Sequence, residues 1–299
     1  MKSGTVAVIG RANAGKSTLV NVLVGEKVSI TSPKPQTTRD RIYGVLTTEN
    51  YQIVFEDTPG IYKASSLLNQ KMQSAARRTA KETDLILFLI DGHAGIREED
   101  LHEAKKFVNS EVPTILVFTK TDIMPKEKLP EELLKLSAVS GVKEIIPLSA
   151  RKGTNVKELL GLILKYLPES EEYIFDENAV SDKSERFMIA EIMREKILLK
   201  FDKEVPHGVA VTLNDFSLSD NGIYNIDLDI ICEKPAHKSI IIGKQGRALK
   251  EVNTFARQDM EKFLGKKVFL SVFVKVKENW RDRPELLEKF GYSSKTEEG

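Results

Sequence analysis

The eight residues Gly10-Arg11-Ala12-Asn13-Ala14-Gly15-Lys16-Ser17 constrain this chain more than any other feature. They carry the spacing G-x-x-x-x-G-K-S, they follow the apolar run Thr5–Ile9, and an amphipathic segment, Ser17–Val24, begins where they end. Glycines at both ends let the backbone curl until several N–H groups point at one anion. A helix opening at that place adds its positive N-terminal end. Strand, phosphate-binding loop and helix in that order commit the surrounding sequence to an α/β layer structure. Lys16 is placed to reach the β- and γ-phosphates of a nucleoside triphosphate. The Ser17 hydroxyl, with Thr18 beside it in the phosphate site, is placed to coordinate Mg²⁺.

The rest of residues 1–168 agrees. Val6–Ile9, Ile53–Phe55, Leu85–Ile90, Ile115–Phe118 and Ile145–Leu148 are continuous apolar runs of strand length. Between them Leu67–Lys81, Glu98–Asn109 and Val156–Leu167 carry helical periodicity. Alternation of this kind predicts a mixed, mostly parallel sheet covered on both faces. Tyr43–Thr48, turning at Glu49-Asn50 into Tyr51–Phe55, adds an antiparallel edge strand. Pro168 ends this unit, and the acid-rich stretch 169–183 reads as a linker. From residue 184 to 283 the rhythm changes to α-β-β-α-α-β: a helix over Ser184–Lys200, strands over Val209–Phe216 and Ile223–Cys232 around the turn Asp220-Asn221-Gly222, helices over His237–Ile242 and Gly246–Leu264, and a strand over Val268–Val276. Residues 284–299 read as a tail, with the polar end Ser293–Gly299 expected to be disordered. Two domains suit a chain of 299 residues.

Two further segments say which nucleotide the loop takes, and two more complete its metal and γ-phosphate contacts. Thr119-Lys120-Thr121-Asp122 follows a strand at the edge where ligands bind α/β sheets, and it is similar to the guanine motif N/T-K-x-D of switch GTPases. A carboxylate at Asp122 can accept from the guanine N1–H and exocyclic amine together, whereas adenine offers no such pair of donors. Lys120 would lay its stem over the base. Ser149-Ala150 resembles the segment whose backbone N–H reads the guanine O6. Asp57-Thr58-Pro59-Gly60 places a carboxylate to hold a Mg²⁺-bound water and a glycine N–H to sense the γ-phosphate. In Gln36-Thr37-Thr38-Arg39-Asp40 a threonine completes the Mg²⁺ shell. Thr38 is favoured over Thr37, because related patterns end in T-R-D. Segments that touch the γ-phosphate and release it on hydrolysis are switches, so Thr31–Tyr43 and Gly60–Leu68 are expected to move. Ile61 stands where many such enzymes carry a water-positioning glutamine, and no catalytic base can be named.

Charge identifies the second partner. The formal net charge of +1 hides a reversal. Residues 171–233 hold 15 acids against 6 bases, and residues 234–283 hold 13 bases against 5 acids. Inside the basic stretch lies Ile242-Gly243-Lys244-Gln245-Gly246-Arg247, a G-x-x-G joining two helical patterns. The spacing alone means little, since Gly92-His93-Ala94-Gly95 shares it. Its context resembles a type II KH domain, in which the G-x-x-G turn approaches the sugar-phosphate backbone of single-stranded RNA, with Lys244 and Arg247 supplying charge. The bases are expected in a groove between the helix Gly246–Leu264 and the strand Ile223–Cys232. Lys266, Lys267, Lys275, Lys277, Arg281 and Arg283 would extend the basic track. Trp280 either stacks a base or anchors the surface.

Some classes are excluded. One cysteine, Cys232, permits no internal disulfide. The four histidines have no metal-ligand spacing. The longest uninterrupted apolar run, Leu85–Ile90, is far short of the ~20 residues of a membrane span, and no secretory signal is visible.

Taken in order, GRANAGKS, QTTRD, DTPG, TKTD, SA and IIGKQG resemble the Era-like family of bacterial ribosome-assembly GTPases over nearly the whole chain. The resemblance implies a P-loop NTPase of the Ras-like G-domain type followed by an α+β type II KH domain. It implies Mg²⁺-dependent hydrolysis of GTP to GDP and binding to the 3′ end of 16S rRNA during maturation of the 30S subunit. It also implies a monomer in the cytoplasm, with peripheral contact at the inner face of the cell membrane. Potassium-activated relatives resemble the loop at Asn13, which either holds K⁺ or shapes the loop. Two residues depart from the family pattern. Ala12 replaces a common proline. Thr119 replaces a common asparagine, which is expected to cost an amide tying the base loop to the phosphate loop.

Overall fold

The computed structural model describes residues 1–60, 68, 79, 81–108 and 110–292. The chain divides into two compact units, the first formed chiefly by residues up to Lys183 and the second chiefly from Ser184 onward.

The first unit is built on six strands: β1 (Lys2–Gly10), β2 (Ile42–Thr48), β3 (Tyr51–Asp57), β4 (Leu85–Asp91), β5 (Thr114–Thr119) and β6 (Glu144–Pro147). They lie in the order β2-β3-β1-β4-β5-β6, all parallel except β2, which runs antiparallel to β3. The helices are α1 (Lys16–Val24), α2 (Glu98–Val108), α3 (Leu129–Ser137) and α4 (Val156–Tyr166). Side chains alternate across each strand. Val6 and Val8 of β1 join Leu19 and Val20 of α1 and Leu159 and Ile163 of α4 in one apolar layer. Ala7 and Ile9 join Ala104 of α2 and Leu136 of α3 in the other. Burial on both faces is why these strands are apolar throughout. The helix α3 was not expected from the sequence, although Leu129, Leu133 and Leu136 have helical spacing; the helix expected over Leu67–Lys81 falls almost wholly outside the described residues.

The stretch 169–183 is no loose linker. Val45 N–H donates to the Val180 carbonyl at 2.9 Å, and Gly44 bridges to Ser181. Gln52 accepts from the N–H groups of Ile174 and Phe175, and the Tyr173 hydroxyl donates to the Thr48 carbonyl. An edge strand leaves a row of backbone groups unpaired, and this acidic segment covers part of that row on β2. Acid content marked its side chains as solvated and said nothing about its backbone.

The second unit has a sheet in the order β7 (Val209–Leu218), β8 (Tyr224–Cys232), β9 (Val268–Val276). β7 and β8 are antiparallel and β8 and β9 parallel. A parallel pair needs a crossover, here supplied by α6 (Pro235–Ile242) and α7 (Arg247–Leu264). With α5 (Glu185–Lys200), which Ser184 caps by accepting from Phe187 N–H, these helices cover one face of the sheet. Trp280 is fully buried, and its indole N–H donates to the Gly208 carbonyl at 2.9 Å. It anchors, and no base can reach its face. Tyr292 stacks on it and Phe290 meets it edge-on, and residues 284–289, read as part of a tail, form helix α8. Ser293–Gly299 lie outside the described residues.

Candidate functional site

The phosphate loop turns from β1 into α1. Gly15 caps α1 at φ +92° and Asn13 sits at φ +66°, both in the left-handed region that this curl requires. Lys16 is buried, its Nζ donating to the carbonyls of Gly10 at 3.2 Å and Arg11 at 3.0 Å. Burial lowers its pKa to about 8, against the opposing pull of Asp57. This ammonium is held inside the loop at a desolvation cost, as a phosphate ligand should be. Arg11 points away, pairing with Glu99 and Asp100 at the start of α2. Ala14 is buried and Thr18 half-buried in the first turn of α1.

Three oxygen-bearing side chains converge beside Lys16. The hydroxyls of Ser17 and Thr38 are 2.9 Å apart, and Thr38 Oγ1 donates to Asp57 Oδ2 at 3.4 Å. Thr37, the alternative, turns elsewhere: its hydroxyl meets Ser32 Oγ and donates to the Lys34 carbonyl. Asp57 is fully buried, and burial raises its pKa while the Ser17 hydroxyl and Lys16 oppose the rise. Its Oδ1 finds no hydrogen-bond partner among the described residues. A buried carboxylate oxygen left open beside two hydroxyls fits a hard divalent cation that takes its remaining ligands from phosphate and water. Thr58 is structural, its hydroxyl donating to the Val8 carbonyl at 2.9 Å. Gly60 is required by packing, because a Cβ there would stand 2.8 Å from the Ala12 backbone. Pro59, between them, is buried. Ile61 and most of Gly60–Leu68 lie outside the described residues.

Glu56, one residue before Asp57, is also buried. Burial pushes its carboxyl up from 4.5 to about 7, although Arg41 lies 3.5 Å away and opposes the shift. A folded-state pKa above the unfolded one means that the folded protein holds the extra proton between about 4.5 and 7. Its contribution to stability therefore declines as pH rises through that window, and the loss is complete above it. Glu56→Gln in nucleotide- and metal-free protein is expected to raise Tm by about 2–4 °C at pH 8 and to change it little at pH 5. Thermal melts at the two pH values check this. A lower Tm at pH 8 would mean that the Arg41 pair outweighs burial.

The base-reading loop is tied to the phosphate loop by Thr119. Its hydroxyl donates one proton shared by the carbonyls of Ala14 at 2.8 Å and Ile90 at 3.0 Å. The threonine thus makes the tie whose loss the sequence suggested; a hydroxyl on a short stem reaches where an amide was expected. Lys120, at φ +58°, donates to Asp91 Oδ2 at 2.6 Å. Ser149 Oγ donates to Asp122 Oδ1 at 2.7 Å, so the acid and the Ser149-Ala150 turn are brought together. Sequence reasoning missed Asp91 and Gly92. A Cβ at Gly92 would stand 2.6 Å from the Thr119 carbonyl. The first G-x-x-G therefore serves the nucleotide loop.

In the second unit, the turn between α6 and α7 exposes Lys244, Gln245 and Arg247, with Ile242 half-buried behind them. Gly243, Gln245 and Gly246 all have positive φ. A Cβ on Gly243 would stand 2.7 Å from that of Ala248, so the first glycine closes the turn against α7. Beside it lies a cavity of about 340 Å³ lined by Gly246, Leu249, Lys250, Asn253, Thr254, Arg257 and Leu270. The opposing strand is β9, not the β8 run expected from sequence, because β8 occupies the centre of the sheet. Lys250, Asn253 and Arg257 were missed; their i, i+3, i+7 spacing on one helix face was the available signal. Much of the expected basic track is neutralised: Lys275 pairs with Asp229, Arg281 with Glu233, Arg283 with Glu285 and Lys267 with Glu261. Arg257 of the cavity pairs with Glu261 in the same way, so the exposed charges nearest the turn are those of Lys244, Arg247 and Lys250.

Among the described residues no cluster of three or more histidine, cysteine or acidic side chains could hold a metal. None of their helices is long and apolar enough to cross a membrane. Cys232 is buried and free.

Residues 5–120 match the family described as 50S ribosome-binding GTPase, and residues 204–281 match the KH domain. The chain is 46% identical to GTPase Era of Clostridium kluyveri over 292 residues, covering 98% of this chain and 99% of the relative. It is 47% identical over 291 residues to GTPase Era of Clostridium novyi, covering 97% and 99%. A crystal structure of Era in complex with MgGDPNP and nucleotides 1506–1542 of 16S ribosomal RNA superimposes with a TM-score of 0.93 at 42% identity, over 98% of this chain and 99% of that one. An Aquifex aeolicus Era variant bound to GDP and aluminium fluoride gives 0.93 at 41%, over 98% and 100%. A likeness that runs end to end, through both the nucleotide site and the G-x-x-G turn, makes the chain a GTPase of the Era family.

Proposed function

We propose that this GTPase binds the single-stranded 3′ end of small-subunit ribosomal RNA through its KH domain, and that the bound nucleotide controls that affinity during 30S maturation. The observation that carries this reading is the pairing, in one chain, of a triphosphate site with a basic G-x-x-G cavity. The Era relative crystallised with MgGDPNP and a 16S fragment supports it. Lys16 holds the β- and γ-phosphates and Asp122 selects guanine. The hydroxyls of Ser17 and Thr38, with Asp57 acting through water, would hold Mg²⁺. When bound, Mg²⁺ supplies positive charge to the phosphoryl oxygens where negative charge builds during transfer. Gly10–Thr18 wrap the phosphates with backbone N–H groups, and Thr58–Gly60 carry the γ-phosphate sensor. In the RNA site Lys244 and Arg247 meet phosphates and the cavity beside α7 takes bases. The protein acts as a cytoplasmic monomer, its contact with the membrane peripheral.

The test is binding of a single-stranded 16S 3′-end fragment with a GTP analogue and with GDP. Tighter binding in one state is expected; equal affinity in both would remove nucleotide control. Asn13 is assigned a bound K⁺ next to the phosphates. Turnover is then several-fold faster in potassium than in sodium buffer, and equal rates would leave Asn13 as a loop-shaping residue only.

A further inference from the structure

The helices cover one face of the β7-β8-β9 sheet, and the opposite face carries an unusual set of side chains. Strand alternation and register place Phe269, Ser271, Phe273 and Lys275 of β9 beside Asn225, Asp227, Asp229 and Ile231 of β8 on that face. Asp215 and Thr212 of β7 stand next in line, opposite Asp227 and Asp229. The rings of Phe269 and Phe273 are 63% and 58% exposed although both residues are paired with β8. Three carboxylates, of Asp215, Asp227 and Asp229, stand in adjoining positions, and the ammonium of Lys275 bonds Asp229 Oδ2 at 2.5 Å. Asp229 is only 5% exposed, and its Oδ1 has no hydrogen-bond partner among the described residues. Leaving a buried carboxylate oxygen unpaired is costly. A donor approaching from this face would lower that cost.

We propose that this face is a docking surface for an arginine-bearing segment of a protein partner. The two classes of side chain present are those that together favour a guanidinium. Carboxylates accept its planar fork, and aromatic rings accept its flat face. Asp227 is available to share it, its Oδ1 being met among the described residues by the Asn214 amide at 3.3 Å. Exposed phenylalanines on an open sheet could also stack RNA bases. Here the carboxylates would repel the phosphates such bases bring. The basic cavity meanwhile opens on the covered side of the sheet, where Leu270 points. The unit thus offers anions its helical side and cations its bare side.

The experiment uses the full chain and a fluorescein-labelled peptide of six arginines alternating with glycine, titrated by anisotropy, with labelled oligouridylate as the competing probe. The peptide is expected to bind. Asp227→Asn and Phe273→Ala are each expected to weaken it about tenfold while leaving oligouridylate affinity and GTP turnover unchanged. Asp227→Asn keeps the shape of the side chain and Phe273 is mostly exposed, so neither change opens the core; unchanged melting temperatures verify this. Failure of the peptide to bind, or equal binding to both variants, would overturn the proposal. So would loss of oligouridylate from Phe273→Ala with the peptide unaffected, which would make the face an RNA platform.

Discussion

Asp122→Asn is expected to convert the guanine site into one that prefers xanthine, with GTP affinity falling by about two to four orders of magnitude. The carboxylate accepts two hydrogen bonds from guanine, each charge-assisted and worth about 1.5–3 kcal/mol. Asparagine can accept only one and turns an N–H₂ toward the guanine amine. Xanthine presents a carbonyl in place of that amine, so the same N–H₂ then finds an acceptor. Folding should survive, because the Ser149 hydroxyl that meets Asp122 Oδ1 at 2.7 Å can donate equally well to an amide oxygen. Competition of GDP and XDP for the variant decides the matter. Undiminished GDP binding would sink the assignment of Asp122, and with it the account of base selection.

The second large effect is on RNA. Lys244→Asp combined with Gln245→Asp replaces one positive tip residue by two negative ones on a turn whose side chains are exposed. Single-stranded RNA affinity is expected to drop more than about a hundredfold at low salt, and the dependence of log K on log salt should flatten by about 0.7 for each phosphate that the variant no longer neutralises. Neither residue belongs to the apolar cluster of the second unit, and Gly243 and Gly246, which set the turn, are untouched. GTP hydrolysis without RNA should therefore be unchanged. RNA binding at the original strength would discredit the G-x-x-G reading.

Much of this was legible in the amino-acid order because its physical causes are local. A phosphate loop is defined by spacing, and the strands of a sheet covered on both faces are apolar without interruption, as Leu85–Ile90 is. What escaped depends on which strand lies beside which. The RNA-side cavity was expected against β8, but the parallel pairing that puts β8 at the centre and β9 at the edge emerges only once the crossover closes. The acid-rich stretch 169–183 reads as solvent-facing, yet its backbone pairs with the edge of β2. Nothing in composition reports on main-chain partners. Thr119 was expected to weaken the link between loops because the expectation rested on residue type. The distance its hydroxyl spans is a property of the fold.

That hydroxyl has a consequence of its own. A single oxygen ties the carbonyl of Ala14, in the seat for the nucleotide's tail, and that of Ile90, at the end of the strand beside the seat for its head. The two ends of the socket are thereby tied to each other before any ligand arrives, so part of the ordering that nucleotide binding would otherwise demand is met during folding.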